Sequence, residues 1–169
     1  PQTVMRDIVV SYFPNWDGTR AWVLARPLSG FAETFSQSII EISPEGGSQE
    51  PEPDSRAECV LFVLDGELEL KIKNKGYSLK SGSYVYIPPE QNWTILNQSK
   101  VAARFHWIRK IYNFVDGIDP PDAFVVNEND LEPIPMPNSD GVWSTTRFVD
   151  PSDIKHDMHV NIVSIKPGG

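Results

Sequence analysis

From Glu67 to Lys73 the chain alternates: Leu68, Leu70 and Ile72 are apolar, while Glu67, Glu69, Lys71 and Lys73 are charged. A repeat of two sends every apolar side chain to one face, which predicts a half-buried strand. Shorter runs at residues 8–13, 34–42, 59–64, 84–87, 93–97 and 102–112 predict more strands, separated by turn chemistry at Asp65-Gly66, Lys75-Gly76, Ser81-Gly82 and Pro88-Pro89. Nowhere do apolar residues recur at helical spacing over a long stretch. Many short strands, together with 15 Pro and 11 Gly, predict an all-β sandwich or barrel.

After Tyr112 the texture changes. Pro120, Pro121, Pro133, Pro135 and Pro137 are scattered among acids, and a segment so rich in proline is expected to stay out of sheet ladders. Strand-like alternation then restarts. Residues 142–169 can be laid over residues 21–47, with Trp143 on Trp22 and Gly168-Gly169 on Gly46-Gly47. The expected organisation is a barrel over 1–114, a connector over 115–140 and the first strands of a second barrel over 141–169. Apolar residues there, Val160, Ile162, Val163 and Ile165, are expected to pack on the first barrel, on a neighbouring subunit or on a longer stretch of the same polypeptide.

A chain of 169 residues that is 40% hydrophobic can bury one ordinary core. With Lys+Arg 15 against Asp+Glu 23 and a net charge of -8, a polyanion would be repelled, so no nucleic-acid partner is expected. No apolar run approaches the roughly 20 residues that span a bilayer, and residues 1–12 lack a signal-peptide layout, so no membrane partner is expected. One cysteine, Cys59, cannot pair within the chain, which fits a reducing, cytoplasmic setting.

One spacing is more specific. Gly46, Glu52, Asp54, Cys59 and Gly66 stand where the first cupin motif, G-x5-H-x-H-x4-E-x6-G, places glycine, three ligands and glycine. Gly82, Pro88, Glu90, Trp93 and Asn97 fall on the second motif, G-x5-P-x-G-x2-H-x3-N. This frame makes the expected fold class more specific: an all-β cupin, a double-stranded β-helix or jelly-roll barrel; with the restart after residue 141, a bicupin cut off after the first strands of its second barrel is expected.

The ligands have changed. Glu52 and Asp54, on one side of a strand, together with the Cys59 thiol could in principle hold a divalent ion. Carboxylates are hard ligands and a thiolate soft, Pro51 and Pro53 break the segment, and the indole of Trp93 coordinates nothing. The expectation is therefore no metal in this barrel, with Trp93 filling the vacated space, Cys59 a small buried hydrophobe, and Glu52 and Asp54 solvated loop acids.

Three histidines remain. His106 reads as a structural residue within its strand. His156 and His159 are three apart and would point to opposite faces of a strand, so they could not chelate one ion together. His159 and Asn161 share a face and are the candidate substrate-binding residues, lining a cavity beside the second barrel. No catalytic residue is assigned. Arg104, Arg109 and Lys110 beside Phe105 and Trp107 suggest an anion site, or more simply a solvated strand face.

The segments TRAWVLARPLSGFAETFSQ (19–37), VLFVLDGELEL (60–70), RFHWIRKIY (104–112) and WSTTRFVDPSDIKHDMHVNIVSIKPGG (143–169), with the degenerate frame between them, resemble the bicupin (S)-ureidoglycine aminohydrolases of allantoin breakdown, also described as glyoxylate-induced proteins. That resemblance implies hydrolysis of a small ureide substrate, with ammonia released and (S)-ureidoglycolate formed. It implies a metal-free first barrel and a manganese ion in the second, on ligands that follow the Pro167-Gly168-Gly169 turn. The chain alone would then bind no cofactor and catalyse nothing. A homo-oligomer is expected, built through barrel faces and a strand over residues 5–13. The alternative is a metal-free cupin serving as an assembly module or a small-metabolite binder. A histidine-rich oxygenase site and the disulfides usual in storage proteins are both absent from the sequence.

Overall fold

The structure is a computed structural model and describes residues 13–25 and 34–168. The strands expected over 8–13 and 5–13 therefore fall almost wholly outside the described residues, as does Gly169. In chain order the strands are β1 (Trp16–Ala25), β2 (Phe35–Ser48), β3 (Ala57–Asp65), β4 (Glu67–Ile72), β5 (Lys75–Lys80), β6 (Ser83–Ile87), β7 (Trp93–Leu96), β8 (Ala103–Ile111), β9 (Phe124–Asn127), β10 (Ile134–Pro135), β11 (Trp143–Arg147) and β12 (Asn161–Ile165). Helical structure among the described residues is one short 3-10 turn at Glu128–Asp130, and none is long and apolar enough to cross a membrane.

The main sheet runs β5-β4-β7-β2-β8-β3-β6-β9, with β1 also paired to β2. All these pairings are antiparallel. It curls because one edge of β2 serves two partners, while β1 takes the other edge. The first part of β2 pairs with β8 from Phe35 to Ile42, and its end pairs with β7 through Gly47 and Ser48. The bend needs Gly47: at φ 144°, an added Cβ would lie 2.1 Å from the Ile95 carbonyl oxygen. Gly66, which closes the first motif, has φ 78°, and a Cβ there would come within 2.6 Å of Ala103.

Alternation decides what the barrel encloses. Ile40, Ile42, Cys59, Leu61, Val63, Leu68, Leu70, Ile72, Val85, Ile87, Ile95 and Phe105 form the interior with Trp16, Trp93 and Trp107. Transfer of each such side chain from water is worth roughly 1.5–3 kcal/mol, so the interior dominates the favourable side of folding. The β3-β6-β8-β9 part of the sheet is covered on its outer side too. Val60, Tyr84 and Tyr86 form a second core there with Met158, flanked by Phe62, Ile108, Phe124, Phe148 and Val160. Phe148 stacks on Tyr84 with centroids 4.1 Å apart.

Three expectations are corrected. The proline-rich stretch does feed ladders: β9 pairs with β6, and β10 with β11. Residues 124–127 lie between the prolines, and β9 is an edge strand, where half of the backbone donors need no partner. The β4–β5 turn falls on Lys73-Asn74, with Lys73 at φ 52°, so Lys75 and Gly76 open β5. The overlay of 142–169 on 21–47 agrees in topology, an antiparallel pair opened by a tryptophan strand, but not in register. Trp22 faces Ile39, whereas Trp143 faces Ile165. Val160 docks on the second core, while Val163 and Ile165 stay exposed on the small β10-β11-β12 sheet.

Candidate functional site

The cupin frame survives as folding hardware. Asn97, the last residue of the second motif, is wholly buried and donates through Nδ2 to the carbonyls of Ile42 at 2.9 Å and Val101 at 2.8 Å. Its Oδ1 accepts from the Ser99 backbone N–H at 2.9 Å. Glu90, where the motif has glycine, adopts φ 62°, and its N–H donates to the Ser55 carbonyl at 2.6 Å. These residues tie corners of the chain together, whatever occupies the ligand positions.

The ligand positions hold something else. Trp93 is buried edge-on to Trp107, with centroids 6.4 Å apart, and Trp107 meets Phe13 and Trp16 at 5.9 and 5.4 Å. This aromatic cluster occupies the interior where imidazoles would converge. Cys59 is buried beside it, and burial, reinforced by the Glu52 charge, drives its thiol pKa far up. A thiol held protonated is a poor metal ligand.

Glu52 and Asp54 do not behave alike, and the expectation of two solvated acids holds for Asp54 alone. They sit in the loop between β2 and β3, free of strand alternation. Asp54 turns outward onto Arg56, whose hydrogen bonds hold its carboxyl down at about 2. Glu52 turns inward until its side chain is only 6% exposed. Its Oε1 accepts from the Asp54 N–H at 3.0 Å and from Arg109, while Oε2 has no partner among the described residues. Burial raises its pKa, and the Asp54 N–H and Arg109 oppose the rise.

Arg104, Arg109 and Lys110 are not one solvated face. Arg104 grips Asp65 through Nε at 2.8 and 3.1 Å. Arg109 lies over the Trp107 ring at 5.4 Å and pairs with Glu52. Lys110, the next residue on the strand, points the other way, is 10% exposed, and bonds Asp157 at 2.6 Å. The donor set does not fit a metal ion: an indole, a protonated thiol, an outward carboxylate and a carboxylate already held by a guanidinium. Among the described residues, no group of three His, Cys, Asp or Glu side chains is arranged to hold one.

On the outer face lies a second polar assembly that the sequence did not reveal. Glu58 is fully buried in β3, accepts from the Tyr86 hydroxyl at 2.7 Å, and has Lys110 Nζ at 3.8 Å. Burial, with the neighbouring Asp157 carboxyl, pushes its pKa up to about 8. Asp157 is itself lowered: burial would raise it, but hydrogen bonds from Glu58, Lys110 and the Asn113 N–H prevail. The one clue in the sequence is an acid inside the apolar run Ala57 to Val63.

The candidate residues His159 and Asn161 both line a pocket of about 480 Å³ with Gln37, Lys110 and Asp157. They are not on one strand, because β12 begins only at Asn161. The histidine pair is likewise not on opposite strand faces: the His156 and His159 rings meet edge-on, with centroids 6.3 Å apart. His156 is buried against Tyr86 at 4.6 Å, and burial lowers its pKa. Behind the pocket, Nδ1 of half-buried His106 faces Gln37 Nε2 at 3.3 Å.

Comparison with known proteins agrees with this architecture. Residues 38–109 match the Cupin_2 family model, described as a cupin domain. A Pseudomonas aeruginosa protein that carries the provisional name glyoxylate-induced protein is 56% identical over the whole of this chain, with a TM-score of 0.94. The chain spans 63% of that protein's structure. The YlbA protein of E. coli superposes with a TM-score of 0.84 at 24% identity, over 98% of this chain and 64% of its own. The polyketide cyclase RemF of Streptomyces resistomycificus shares the fold, with a TM-score of 0.52 at 18% identity over 66% of this chain and 84% of its own. No curated protein sequence matches the chain. The barrel thus has the cupin fold, and the chain is similar along its whole length to the P. aeruginosa protein.

Proposed function

We propose that this chain is the scaffold portion of a bicupin (S)-ureidoglycine aminohydrolase. The supporting observation is 56% identity along the entire chain to a protein named for induction by glyoxylate, of which the chain spans only 63%. Among the described residues the first barrel offers no metal donor set, so the reaction is assigned to the remainder of the polypeptide. There a divalent metal, manganese by the family resemblance, would position the ureide and stabilise developing charge. The contribution of this chain is a rigid barrel, a docked segment over residues 148–160, and a pocket in which His159 and Asn161 would meet a small ureide. The exposed Val163 and Ile165 favour further strands, or a second copy, against the β10-β11-β12 sheet.

The test is ammonia release from (S)-ureidoglycine with manganese. A polypeptide of the P. aeruginosa protein's length is expected to turn over and residues 1–169 alone are not. Equal turnover by the shorter chain would refute the reading.

A further inference from the structure

Residues 148–160 cover the outer core yet belong to no strand, so no ladder holds them on the barrel. Their ends are anchored by apolar contacts, Phe148 on Tyr84 and Met158 and Val160 on the second core. Between those anchors the ties are polar. The Tyr112 hydroxyl donates to the Lys155 carbonyl at 2.8 Å, and Asp157 Oδ2 accepts from Lys110 Nζ at 2.6 Å and from the Asn113 N–H at 2.9 Å.

The Asp157 tie rests on a charge balance. The same Nζ stands 3.8 Å from Glu58 Oε1, so one ammonium serves two carboxyls. Glu58 is wholly buried, its Oε1 has no hydrogen-bond donor among the described residues, and the Tyr86 hydroxyl occupies Oε2. A second negative charge here would go uncompensated, whereas one proton shared by the carboxyls satisfies Oε1 and binds Glu58 to Asp157.

The other groups around Glu58 do not change that balance near neutral pH. Tyr84 and Tyr86 on β6, Tyr112 just after β8 and Cys59 beside Glu58 on β3 are all raised by burial and stay neutral. His156, in the segment itself, is lowered by burial, and Asp153 stands 3.9 Å from its Nε2. Among the described residues, Lys110 is the one cation within ion-pair reach of either carboxyl.

Asp157 also lines the pocket of about 480 Å³, whose other walls include Phe35 and Gln37 of β2 and Ile108 of β8. We propose that Glu58, Asp157 and Lys110 form a proton-operated latch on that pocket: with one proton between the carboxyls residues 155–158 are seated and close it, and without that proton Asp157 leaves the barrel and the pocket opens. The latch is read from the first barrel and the segment on it, and does not depend on the aminohydrolase reading. Burial holds the Glu58 pKa at about 8 in the seated state, against its ordinary 4.5. The seated state therefore keeps an extra proton between those values, and seating weakens as pH rises toward 8. His156 acts the other way only below its ordinary 6.5, where opening lets it gain a proton.

Hydrogen exchange of the intact polypeptide, corrected for the intrinsic rate at each pH, tests the latch, because the Asn113 N–H reports directly on the seating of Asp157. Its protection is expected to fall about tenfold from about pH 6.5 to about pH 8.5. The Leu70 and Ile95 amides, in the β4-β7 ladder, are expected to exchange more slowly than Asn113 at both values. Glu58→Gln mimics the protonated acid, with an N–H2 for Asp157 and a carbonyl for Tyr86, and its Asn113 protection should change less than about twofold. Should that variant not fold, the carboxyl carbon of 13C-labelled Glu58 in the unaltered protein is expected to titrate across the same window. The proposal is overturned by Asn113 protection that is constant with pH, that falls equally in Glu58→Gln, or that is lost only together with Leu70 and Ile95. A Glu58 carboxyl titrating in the ordinary carboxylate range overturns it as well.

Discussion

Tyr86 on β6 donates its hydroxyl to Glu58 on β3 at 2.7 Å, and the carboxyl that receives it is fully buried. Among the described residues the other Glu58 oxygen finds no donor within hydrogen-bond reach, and it faces Asp157, so the arrangement suits a protonated Glu58 donating to an ionised Asp157. Because Asp157 lies in the segment covering the second core, this proton helps hold that segment on the barrel.

Stability should therefore depend on pH in a defined window. The folded pKa of Glu58 is raised from 4.5 to about 8, chiefly by burial, so the folded state binds a proton that the unfolded state releases between those values. Its contribution is fully present below 4.5 and is lost as pH rises through about 8. Across this window the stability that Glu58 confers, read as the difference in denaturant midpoint from Glu58→Gln, should fall with rising pH; His106 and His156, whose pKa values burial lowers, act the other way and are common to both proteins. Asp157 acts oppositely, its folded pKa being lowered, so its contribution disappears as pH falls below its ordinary 3.8.

Trp93→Ala should destabilise the barrel by about 3–5 kcal/mol, the usual cost of emptying a large aromatic from a core. Chemical unfolding followed by far-UV circular dichroism would measure it. Trp93→His should cost stability without recruiting metal, because Cys59 stays protonated and Arg109 keeps Glu52.

Asn97→Leu removes the hydrogen bond to the buried Ile42 carbonyl and should cost about 1–3 kcal/mol for that carbonyl, whereas the Val101 carbonyl keeps the Ser99 hydroxyl as a donor. A loss below 1 kcal/mol on urea unfolding would mean that the frame's asparagine is not the corner tie described above.

The Cys59 thiol should be inert in the native protein. Buried and held protonated, it should react with iodoacetamide near neutral pH only after denaturant is added. Fast labelling of the native chain, read by mass spectrometry, would contradict its burial.

The fold was legible because alternation on β4 and the glycines at 46, 66 and 82 act locally, through strand period and turn geometry. Trp93 was legible for a similar reason, since an indole in a ligand's place has little to do but fill space. Glu52 and Glu58 were not legible as buried acids. A carboxylate is buried only when partners arrive from elsewhere, here Arg109 at a sequence distance of 57 and Tyr86 at 28. The docking of residues 148–160 was hidden for the same reason: Phe148 and Met158 are scattered hydrophobes until Tyr84 and Val60 supply the surface beneath them. Proline counting misjudged β9, because it overlooked a proline-free stretch placed at a sheet edge.

The most direct measurement of the central claim, that the first barrel keeps a metal-site frame without the site, is metal analysis of the intact polypeptide beside its Cys59→Ala and Glu52→Gln variants. Any manganese, zinc or iron it carries should be retained undiminished in both variants. One equivalent per chain that disappears on changing Cys59 or Glu52 would contradict the account.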